Sequence, residues 1–410
     1  MSGDLFDKFG PLLTAFEGLV GNRTSPFGLR VDRVLSPTEA VIGGRDTILA
    51  GTFNYLGLTY DPECVRAAQE SVARDGTGTT GSRIANGNYA IHSEVEAAMA
   101  RFLGRRAAML FTTGYQANLG ILSTLVGPED HVLLDADCHA SIYDGLKMGA
   151  ASVIRFRHND VTDLDRRLER LAGDRGHKLI VVEGIYSMLG DRAPLAAMVE
   201  VKRRHGAYMM VDEAHSLGVL GDRGRGLAEE DGCEKEVDVV VGTFSKSLGA
   251  IGGWAASDHP RFEVLKLACR PYMYTASLPP AVVASSMTAL RLVEERPELR
   301  EHLWRNARAF HGALVDLGFL LCAEPGPIVS VKMPDPATAY AFWQELLDAG
   351  VFVTMAVPPA TPNGWCILRA SVCAAHTLDQ IQRMGEAYGE VAARLGLMRE
   401  RVKTGRVANA

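Results

Sequence analysis

Several features that would point to simple classes of protein are scarce in this sequence. The seven cysteines are odd in number and never form a C-x-x-C spacing, so neither disulfide bonds nor a structural zinc site is expected. No apolar run is long enough to span a bilayer, and Asp4 and Asp7 interrupt the N-terminus where a signal peptide would be apolar. The net charge of −6 is spread over interspersed charges of both signs, which argues against a nucleic-acid-binding surface. The composition is that of a globular protein in a reducing cytoplasm.

What the chain does contain is a regular alternation of apolar, β-branched runs and helical patterns. Strands are predicted at residues 107–112, 131–135, 153–156, 179–186, 208–212 and 237–242. Helices are predicted between them at residues 115–125, 140–149, 164–171 and 194–205. Apolar strands that alternate with helices are typical of a mostly parallel sheet covered by helices on both faces. The fold class is therefore α/β, and a ligand is expected beyond the carboxyl ends of the strands.

The domain organisation follows from a change in this pattern. Beyond residue 280 long helices predominate, at residues 282–295, 298–317 and 337–349. We assign residues 46–283 to a large α/β domain, 284–410 to a smaller α+β domain and 1–45 to an N-terminal segment. Apolar residues at helical spacing predict that this segment packs on the body of the protein or on a partner subunit; they are Leu5, Phe9, Leu12, Leu13 and Phe16.

Two of the predicted strand ends carry ambiguous signals. In FTTGYQAN, Gly114 allows a tight turn before a helix, and the N–H groups at a helix start suit a phosphate. In DADCHAS, Asp135, Asp137 and His139 occupy alternate positions. They could be metal ligands on one strand face, or the start of a helix with a structural histidine. Neither stretch decides the chemistry by itself.

Two further strand ends are more specific. In VDEAHSLG, an apolar strand ends in Asp212 and His215 follows three residues later; a buried carboxylate needs a cationic or hydrogen-bonding partner. In VGTFSKSLGAIGG, Lys246 lies among small residues and has no charged neighbour between Asp238 and Asp258. A lysine on a solvated surface usually has charged neighbours, so this isolation indicates a chemical role.

Together these strand ends supply what pyridoxal phosphate (PLP) requires. The cofactor needs a lysine for its Schiff base, an acid beside its pyridine nitrogen and an anion site. Lys246 and Asp212 meet the first two needs, while Thr243 and Ser245 offer hydroxyls to the phosphate. His139 adds an aromatic ring. The sequence therefore predicts a PLP site.

A nucleotide-dependent oxidoreductase is the alternative from a different class. GTGTTG at residues 76–81 matches the dinucleotide fingerprint G-x-G-x-x-G. That motif should follow a strand and open a helix. Here it follows a helical pattern over residues 62–74 and leads into a polar stretch, so the nucleotide interpretation is disfavoured.

VDEAHSLG and TFSKSLGAIGG resemble motifs of the α-oxoamine synthase family of PLP enzymes, which have the aspartate aminotransferase fold. NYLG (54–57), GTGTTGSR (76–83) and YTASLPP (274–280) extend the resemblance over nearly the whole chain. LDADCHASIYDG, RFRHN, EGIYSMLGD and PPATP resemble the branch that condenses L-serine with a long-chain acyl thioester. The implied products are 3-oxosphinganine, CO2 and the free thiol of coenzyme A or an acyl carrier protein.

The resemblance implies roles for individual residues. Lys246 would form the Schiff base, Asp212 would pair with the pyridine nitrogen, His139 would stack on the pyridine and His215 would bind its phenolic oxygen. The residues implied to line the cofactor and its phosphate are Gly114, Tyr115, Thr243 and Ser245, with Thr275 reaching the phosphate from the other subunit of a homodimer.

Substrate binding is implied for Asn54 and Arg369. The planar fork of an arginine at the end of an apolar run suits a carboxylate. The chain has Val357 where this branch of the family is expected to have an arginine, which leaves Arg369 as the candidate for the serine carboxylate.

Alternatives within the family remain open at this point. Glycine or alanine with a shorter acyl group would suit related machinery, and a silent subunit of a heteromeric synthase is disfavoured by Lys246. The resemblance implies a cytoplasmic enzyme, and a loose association with the inner face of the membrane stays open.

Overall fold

A computed structural model describes residues 3–21 and 23–397 of the chain. Its strands are β1 (Arg33–Ser36), β2 (Glu39–Ile42), β3 (Arg45–Leu49), β4 (Ala107–Phe111), β5 (His131–Asp135), β6 (Ser152–Phe156), β7 (Lys178–Glu183), β8 (Tyr208–Asp212), β9 (Val239–Thr243), β10 (Gly253–Ser257), β11 (Ile328–Met333), β12 (Val351–Phe352), β13 (Thr354–Ala356) and β14 (Cys366–Ser371). Its α-helices are α1 (Gly10–Val20), α2 (Pro62–Asp75), α3 (Ala90–Phe102), α4 (Gly114–Leu125), α5 (Ala140–Met148), α6 (Val161–Arg170), α7 (Leu195–His205), α8 (Leu227–Glu230), α9 (Arg270–Met273), α10 (Pro280–Glu295), α11 (Glu298–Asp316), α12 (Pro336–Asp348) and α13 (Leu378–Arg394). Among the described residues, no helix combines the length and the apolar character that crossing a membrane requires.

The chain divides into two compact units. The larger comprises Phe53–Trp304 and Cys373–Ala375. The smaller comprises the described residues of Met1–Thr52, Arg305–Val372 and His376–Ala410. The N-terminal segment, assigned to its own region from sequence, is therefore grouped with C-terminal residues, because β3 pairs in parallel with β12.

A seven-stranded sheet in the order β4-β10-β9-β8-β7-β5-β6 forms the centre of the larger unit. Strands β5 to β9 run parallel to one another, as the apolar runs predict. β10 runs antiparallel between β4 and β9, and the sequence analysis missed it. Its sequence GWAAS has few β-branched residues, so only its completely buried position between two strands identifies it as a strand.

The smaller unit contains two sheets of its own. Strands β1, β2, β3 and β12 form one, and β11, β14 and β13 form the other. β14 is buried along its whole length, and its Arg369 lies opposite Ser330 of β11 and Thr354 of β13. The α+β character predicted for the C-terminal region is present here.

The N-terminal helical stripe is exposed in the single chain. The exposed fractions are 75% for Leu5, 68% for Leu12 and 56% for Leu13, and Phe9 and Phe16 are also exposed. The described residues therefore leave these apolar side chains exposed, and packing on a partner subunit stays a prediction.

Candidate active site

The carboxyl ends of neighbouring parallel strands bring the predicted residues of the larger unit together. Asp212 ends β8, Thr243 ends β9 and His139 follows β5. Glu183 ends β7 and lies opposite Asp212 in the strand register. The sequence analysis assigned no role to Glu183, because a glutamate at a strand end becomes informative only when the strand order is known.

Asp212 is a buried acceptor held by two donors. The amide of Asn118 in α4 donates to Asp212 Oδ2 at 2.7 Å, and the backbone N–H of Ala214 donates to Oδ1 at 2.9 Å. The side chain is 5% exposed. This arrangement holds the carboxylate in one orientation at the end of β8, where a protonated ring nitrogen could pair with it.

Lys246 lies in the turn after β9 and is half-buried. Its Nζ is 6.0 Å from the centroid of the Phe53 ring. The next residue, Ser247, donates to the backbone oxygen of Leu217 at 2.6 Å. Gly218 has φ of +76°, and a Cβ there would lie 2.7 Å from the Cβ of Ser247, so glycine is required. The two sequence motifs that contain Asp212 and Lys246 are therefore joined directly.

The start of α4 and the end of β9 lie side by side and carry several polar groups. Thr113 caps α4 by accepting from the N–H of Gln116 at 3.1 Å, while the first N–H groups of a helix have no partner within it. Thr243 Oγ1 lies 2.8 Å from Ser245 Oγ. A Cβ at Gly114 would approach the Cβ of Thr243 to 2.8 Å. The Thr243 hydroxyl donates to the backbone oxygen of Gly252 at 2.8 Å, so the donors here that suit a phosphate are the N–H groups at the start of α4 and the Ser245 hydroxyl.

His139 is the N-cap of α5 and remains solvent-accessible. Its ring atom Nδ1 accepts from the backbone N–H of Ser141 at 3.2 Å. The backbone N–H of His139 donates to the Glu183 carboxyl group. The surrounding protein desolvates the ring enough to lower its pKa; the charge of Asp212 opposes this effect, and that of Lys246 reinforces it. The imidazole is therefore biased towards its neutral form, which suits stacking on an aromatic cofactor.

His215 is buried, and its Nδ1 lies 2.6 Å from the hydroxyl of Tyr55. Its ring meets that of Phe53 edge-on, with centroids 5.7 Å apart. Tyr55 belongs to the NYLG stretch, whose function the sequence did not reveal beyond Asn54.

The loop between Asp212 and His215 is tied down by Glu213. This completely buried carboxyl group accepts from the N–H groups of Leu227 at 2.9 Å and Ala228 at 3.0 Å, and from the hydroxyl of Ser216. Burial raises the pKa of Glu213, and these hydrogen bonds oppose the rise. Glu213 therefore holds the loop in place rather than facing a ligand.

Residues from three of the motifs quoted above, LDADCHASIYDG, RFRHN and EGIYSMLGD, come together at His158. His158 Nδ1 lies 2.8 Å from Asp135 Oδ1, and Nε2 lies 2.7 Å from Asp191 Oδ2. The ring of Tyr186 meets it edge-on, with centroids 4.5 Å apart. Burial alone would lower the pKa of His158, but hydrogen bonds to the two aspartates and their charges raise it to about 10. A charged histidine therefore links the ends of β5 and β6 to the loop after β7.

We expect the contribution of this cluster to stability to fall at high pH. The pKa of His158 in the folded protein is about 10, against an ordinary value of 6.5. The stabilisation is therefore complete below pH 6.5 and is lost as the pH rises towards 10; a shift of this size corresponds to at most about 5 kcal/mol. In urea unfolding, the advantage of the wild type over His158→Gln should shrink across this range.

The matched control is His205→Gln, which removes a histidine that contacts only the surface aspartate Asp165 among the described ion pairs. The same measurement on His205→Gln shows how the loss of a histidine paired with a single aspartate affects unfolding. A His158→Gln difference that stays constant from pH 6 to pH 10 would contradict a charged His158.

Asp135, Asp137 and His139 do not form a metal site. β5 ends at Asp135, which accepts from the N–H groups of Asp137 at 2.9 Å and Asn159 at 2.9 Å. His139 instead faces Ser141. No group of three His, Cys, Asp or Glu residues in the described part of the chain could hold a metal ion. The metal alternative is wrong because the strand ends before the three side chains can share a face.

The glycine-rich stretch at residues 76–81 also lacks the context of a dinucleotide site. It follows α2 rather than a strand, and α3 begins only at Ala90. The backbone oxygen of Gly81 accepts from the N–H of Ser277 at 2.9 Å. Gly81 is therefore joined to the YTASLPP segment.

The remaining predicted residues differ in their surroundings. Thr275 Oγ1 lies 3.3 Å from the amide of Gln116 in the same chain. The amide of Asn54 donates to Thr59 at 2.7 Å, while its buried Oδ1 has no hydrogen-bond partner among the described residues. The Tyr115 hydroxyl donates to Asp144. Arg369 is buried in the smaller unit.

Comparisons with known proteins agree with this geometry. Residues 47–387 match the aminotransferase class I and II family. The serine palmitoyltransferase of Caulobacter vibrioides is 57% identical over 394 residues, covering 96% of this chain and 98% of that protein. The solved serine palmitoyltransferase of Sphingomonas wittichii is 49% identical, with a TM-score of 0.94 over 97% of this chain and 100% of that one. A structure of SPT with the PLP internal aldimine is 51% identical, with a TM-score of 0.94 over 96% of this chain and 100% of that one. The chain therefore belongs to the class I and II aminotransferase family of PLP enzymes and, within it, to the α-oxoamine synthases that include the bacterial serine palmitoyltransferases.

Proposed function

We propose that this protein is a serine palmitoyltransferase. It condenses L-serine with a long-chain acyl thioester and releases CO2, the free thiol and 3-oxosphinganine. The observation that carries this proposal is the 57% identity over 394 residues to an enzyme of that name. The alternative within the family, a synthase acting on glycine or alanine, would use the same residues around the cofactor.

The residues at the strand ends fit PLP. When bound, PLP supplies an electron sink that stabilises negative charge at the amino-acid Cα. The Asp212 carboxylate, already held by Asn118 and Ala214, keeps a proton on the ring nitrogen, because a nearby opposite charge favours the protonated form. Gly114, Thr243 and Ser245 would hold the phosphate, together with the N–H groups at the start of α4.

Lys246 has two tasks in this proposal. Its amine would hold the cofactor, and the same amine would be the base that takes the proton from the serine Cα. The turn that carries Lys246 is held by the hydrogen bond from Ser247 to Leu217, so the amine stays within reach of the reacting carbon. His139 would cover one face of the cofactor ring and exclude water from it.

The partners that we propose are serine, a long-chain acyl thioester and a second copy of the chain. A homodimer would give the exposed apolar residues of the N-terminal helix a surface to pack on. Thr275 of the partner subunit is proposed to reach the cofactor phosphate. The proposed location is the cytoplasm. The acyl donor carries coenzyme A or an acyl carrier protein.

Turnover with a panel of substrates tests the proposal. The purified protein is incubated with L-serine, glycine or L-alanine and with palmitoyl or shorter acyl thioesters. CO2 release and the product are then measured. We expect a yellow protein whose visible spectrum responds to L-serine and whose kcat/KM is highest with serine and a long acyl chain. A preference for glycine or alanine would support the alternative synthase, and a colourless protein that binds NAD would overturn the PLP assignment.

We further expect Arg369 to bind the serine carboxylate. This assignment rests on the resemblance and on the bidentate geometry of arginine. Arg369→Ala should weaken serine binding by about 1.5–3 kcal/mol, as for the loss of a charged hydrogen bond. That loss is about ten- to hundredfold in affinity. The measurement is a titration with serine that follows the visible absorption of the cofactor.

Two variants serve as controls for this titration. Arg369→Lys keeps the charge but loses the planar fork, so its affinity should lie between those of Arg369→Ala and the wild type. Val357→Arg should change serine affinity far less than Arg369→Ala. If Arg369→Ala binds serine like the wild type while its cofactor spectrum is intact, the carboxylate site lies elsewhere.

A further inference from the structure

A chain of hydrogen bonds connects Asp212 to the imidazole of His139. Asn118 Nδ2 lies 2.7 Å from Asp212 Oδ2 and 2.9 Å from Ser141 Oγ, and Ser141 Oγ lies 2.7 Å from His139 Nδ1. Asn118 and Ser141 are 2% and 1% exposed. Both residues lie inside the sequence motifs, but the mechanism above gives Ser141 no task.

The direction of each bond in this chain is determined by the carboxylate. A carboxylate only accepts hydrogen bonds, so the amide group of Asn118, rather than its oxygen, must face Asp212. The same amide nitrogen reaches Ser141 and therefore donates to its hydroxyl oxygen. That leaves the hydroxyl proton of Ser141 to donate to His139 Nδ1, the other atom within hydrogen-bond distance.

The backbone of α5 also requires His139 Nδ1 to be a hydrogen-bond acceptor. The N–H of Ser141 also points at His139 Nδ1, at 3.2 Å, because the histidine side chain caps the helix. Two donors thus meet one ring nitrogen. A proton on Nδ1 would face both of them, so Nδ1 must carry its lone pair.

We propose that Ser141, oriented by Asn118, holds His139 in the neutral tautomer with its proton on Nε2. Ser141 and Asn118 are then positioning residues: they act through His139 and Asp212. The consequence is that the N–H donor of His139 lies at Nε2, while Nδ1 is occupied by Ser141. The inference deepens the proposed function, which places His139 on the cofactor ring.

The charged groups around His139 are consistent with this tautomer. The protein around the ring disfavours the charged imidazolium, Lys246 adds to that effect, and Asp212 and Asp144 oppose it. Glu183 accepts from the backbone N–H of His139 and leaves the ring nitrogens to other partners. Protonating the ring would also turn Nδ1 from an acceptor into a donor facing Ser141.

Nitrogen-15 NMR of histidine-labelled protein tests the inference. The two ring nitrogens of each tautomer give distinct signals, and a His139→Gln variant identifies the His139 resonances among the 11 histidines. We expect an Nε2–H pattern for His139 at neutral pH in the PLP-loaded enzyme and in the cofactor-free protein. Ser141→Ala keeps only the longer contact from the backbone N–H to Nδ1, so signals of the Nδ1–H tautomer should appear beside those of Nε2–H, while Ser141→Thr, which retains the hydroxyl, should keep the wild-type pattern.

Ser123→Ala is the matched control, because its hydroxyl donates only to the backbone of α4, at Leu119. An Nδ1–H or imidazolium pattern in the wild type, or no change in Ser141→Ala, would overturn the inference even if serine turnover is normal. Conversely, an Nε2–H pattern that depends on Ser141 would support the inference whatever the substrate assay gives. A failed substrate assay would count against the proposed function alone.

Discussion

Lys246→Ala is expected to abolish turnover, with a loss on the order of a thousandfold or more, as for removal of a covalent catalytic group. The variant should also lose the visible absorption that arises when the lysine is bonded to PLP. The reason is that Lys246 is the sole lysine in the two joined motifs of the site, and the Ser247 hydrogen bond to Leu217 holds its turn against the loop of Asp212.

Stopped assays with serine and a long-chain acyl thioester, together with absorption spectra, measure this effect. Lys178→Ala is the control, since that lysine lies at the opposite end of the sheet and donates to the backbone oxygen of Asp174. Its turnover and spectrum should match the wild type. Turnover by Lys246→Ala at the wild-type rate would remove the basis for the PLP assignment.

Asp212→Asn is expected to slow exchange of the serine Cα proton severely while leaving the protein folded. Asparagine can still accept from the amide of Asn118, but it carries no charge to hold a proton on the ring nitrogen. An adjacent opposite charge typically shifts a pKa by one to three units, which corresponds to a rate loss of about 10- to 1,000-fold.

Proton exchange in heavy water, followed by NMR of serine, isolates this step from the acyl donor. Asp165→Asn provides the control, because Asp165 pairs with Arg204 and His205 at the surface. Exchange in that variant should be unchanged. Wild-type exchange in Asp212→Asn would show that the carboxylate has another role.

The convergence of the candidate residues at one edge of the sheet could be predicted from sequence because the main ones end apolar strands. β5 and β8 occupy the residues predicted for them, and the α/β fold class is confirmed by solved structures of relatives. Buried parallel strands show as continuous apolar runs, and a carboxylate or lysine after such a run is readily seen. The assignments of individual residues to cofactor and substrate stay predictions until the variants above are tested.

The partners of those residues could not be predicted in the same way. Asn118 lies 94 positions from Asp212 and Glu183 lies 44 from His139, so no local pattern relates them. His158 looked like part of a family motif, and only the structure shows that it joins Asp135 to Asp191. Hydrogen bonds between distant segments depend on strand order and register, which one sequence does not reveal.

By itself, the sequence determined the alternation of strands and helices, the strand ends that carry chemistry and the family to which their motifs belong. These properties follow from local hydrophobicity and from residue types at fixed spacing. The tertiary structure decided the place of β10, the exposure of the N-terminal apolar stripe and the direction of the hydrogen bonds that reach His139. Each of these depends on which distant residues come within a few ångströms of one another, and folding alone settles that.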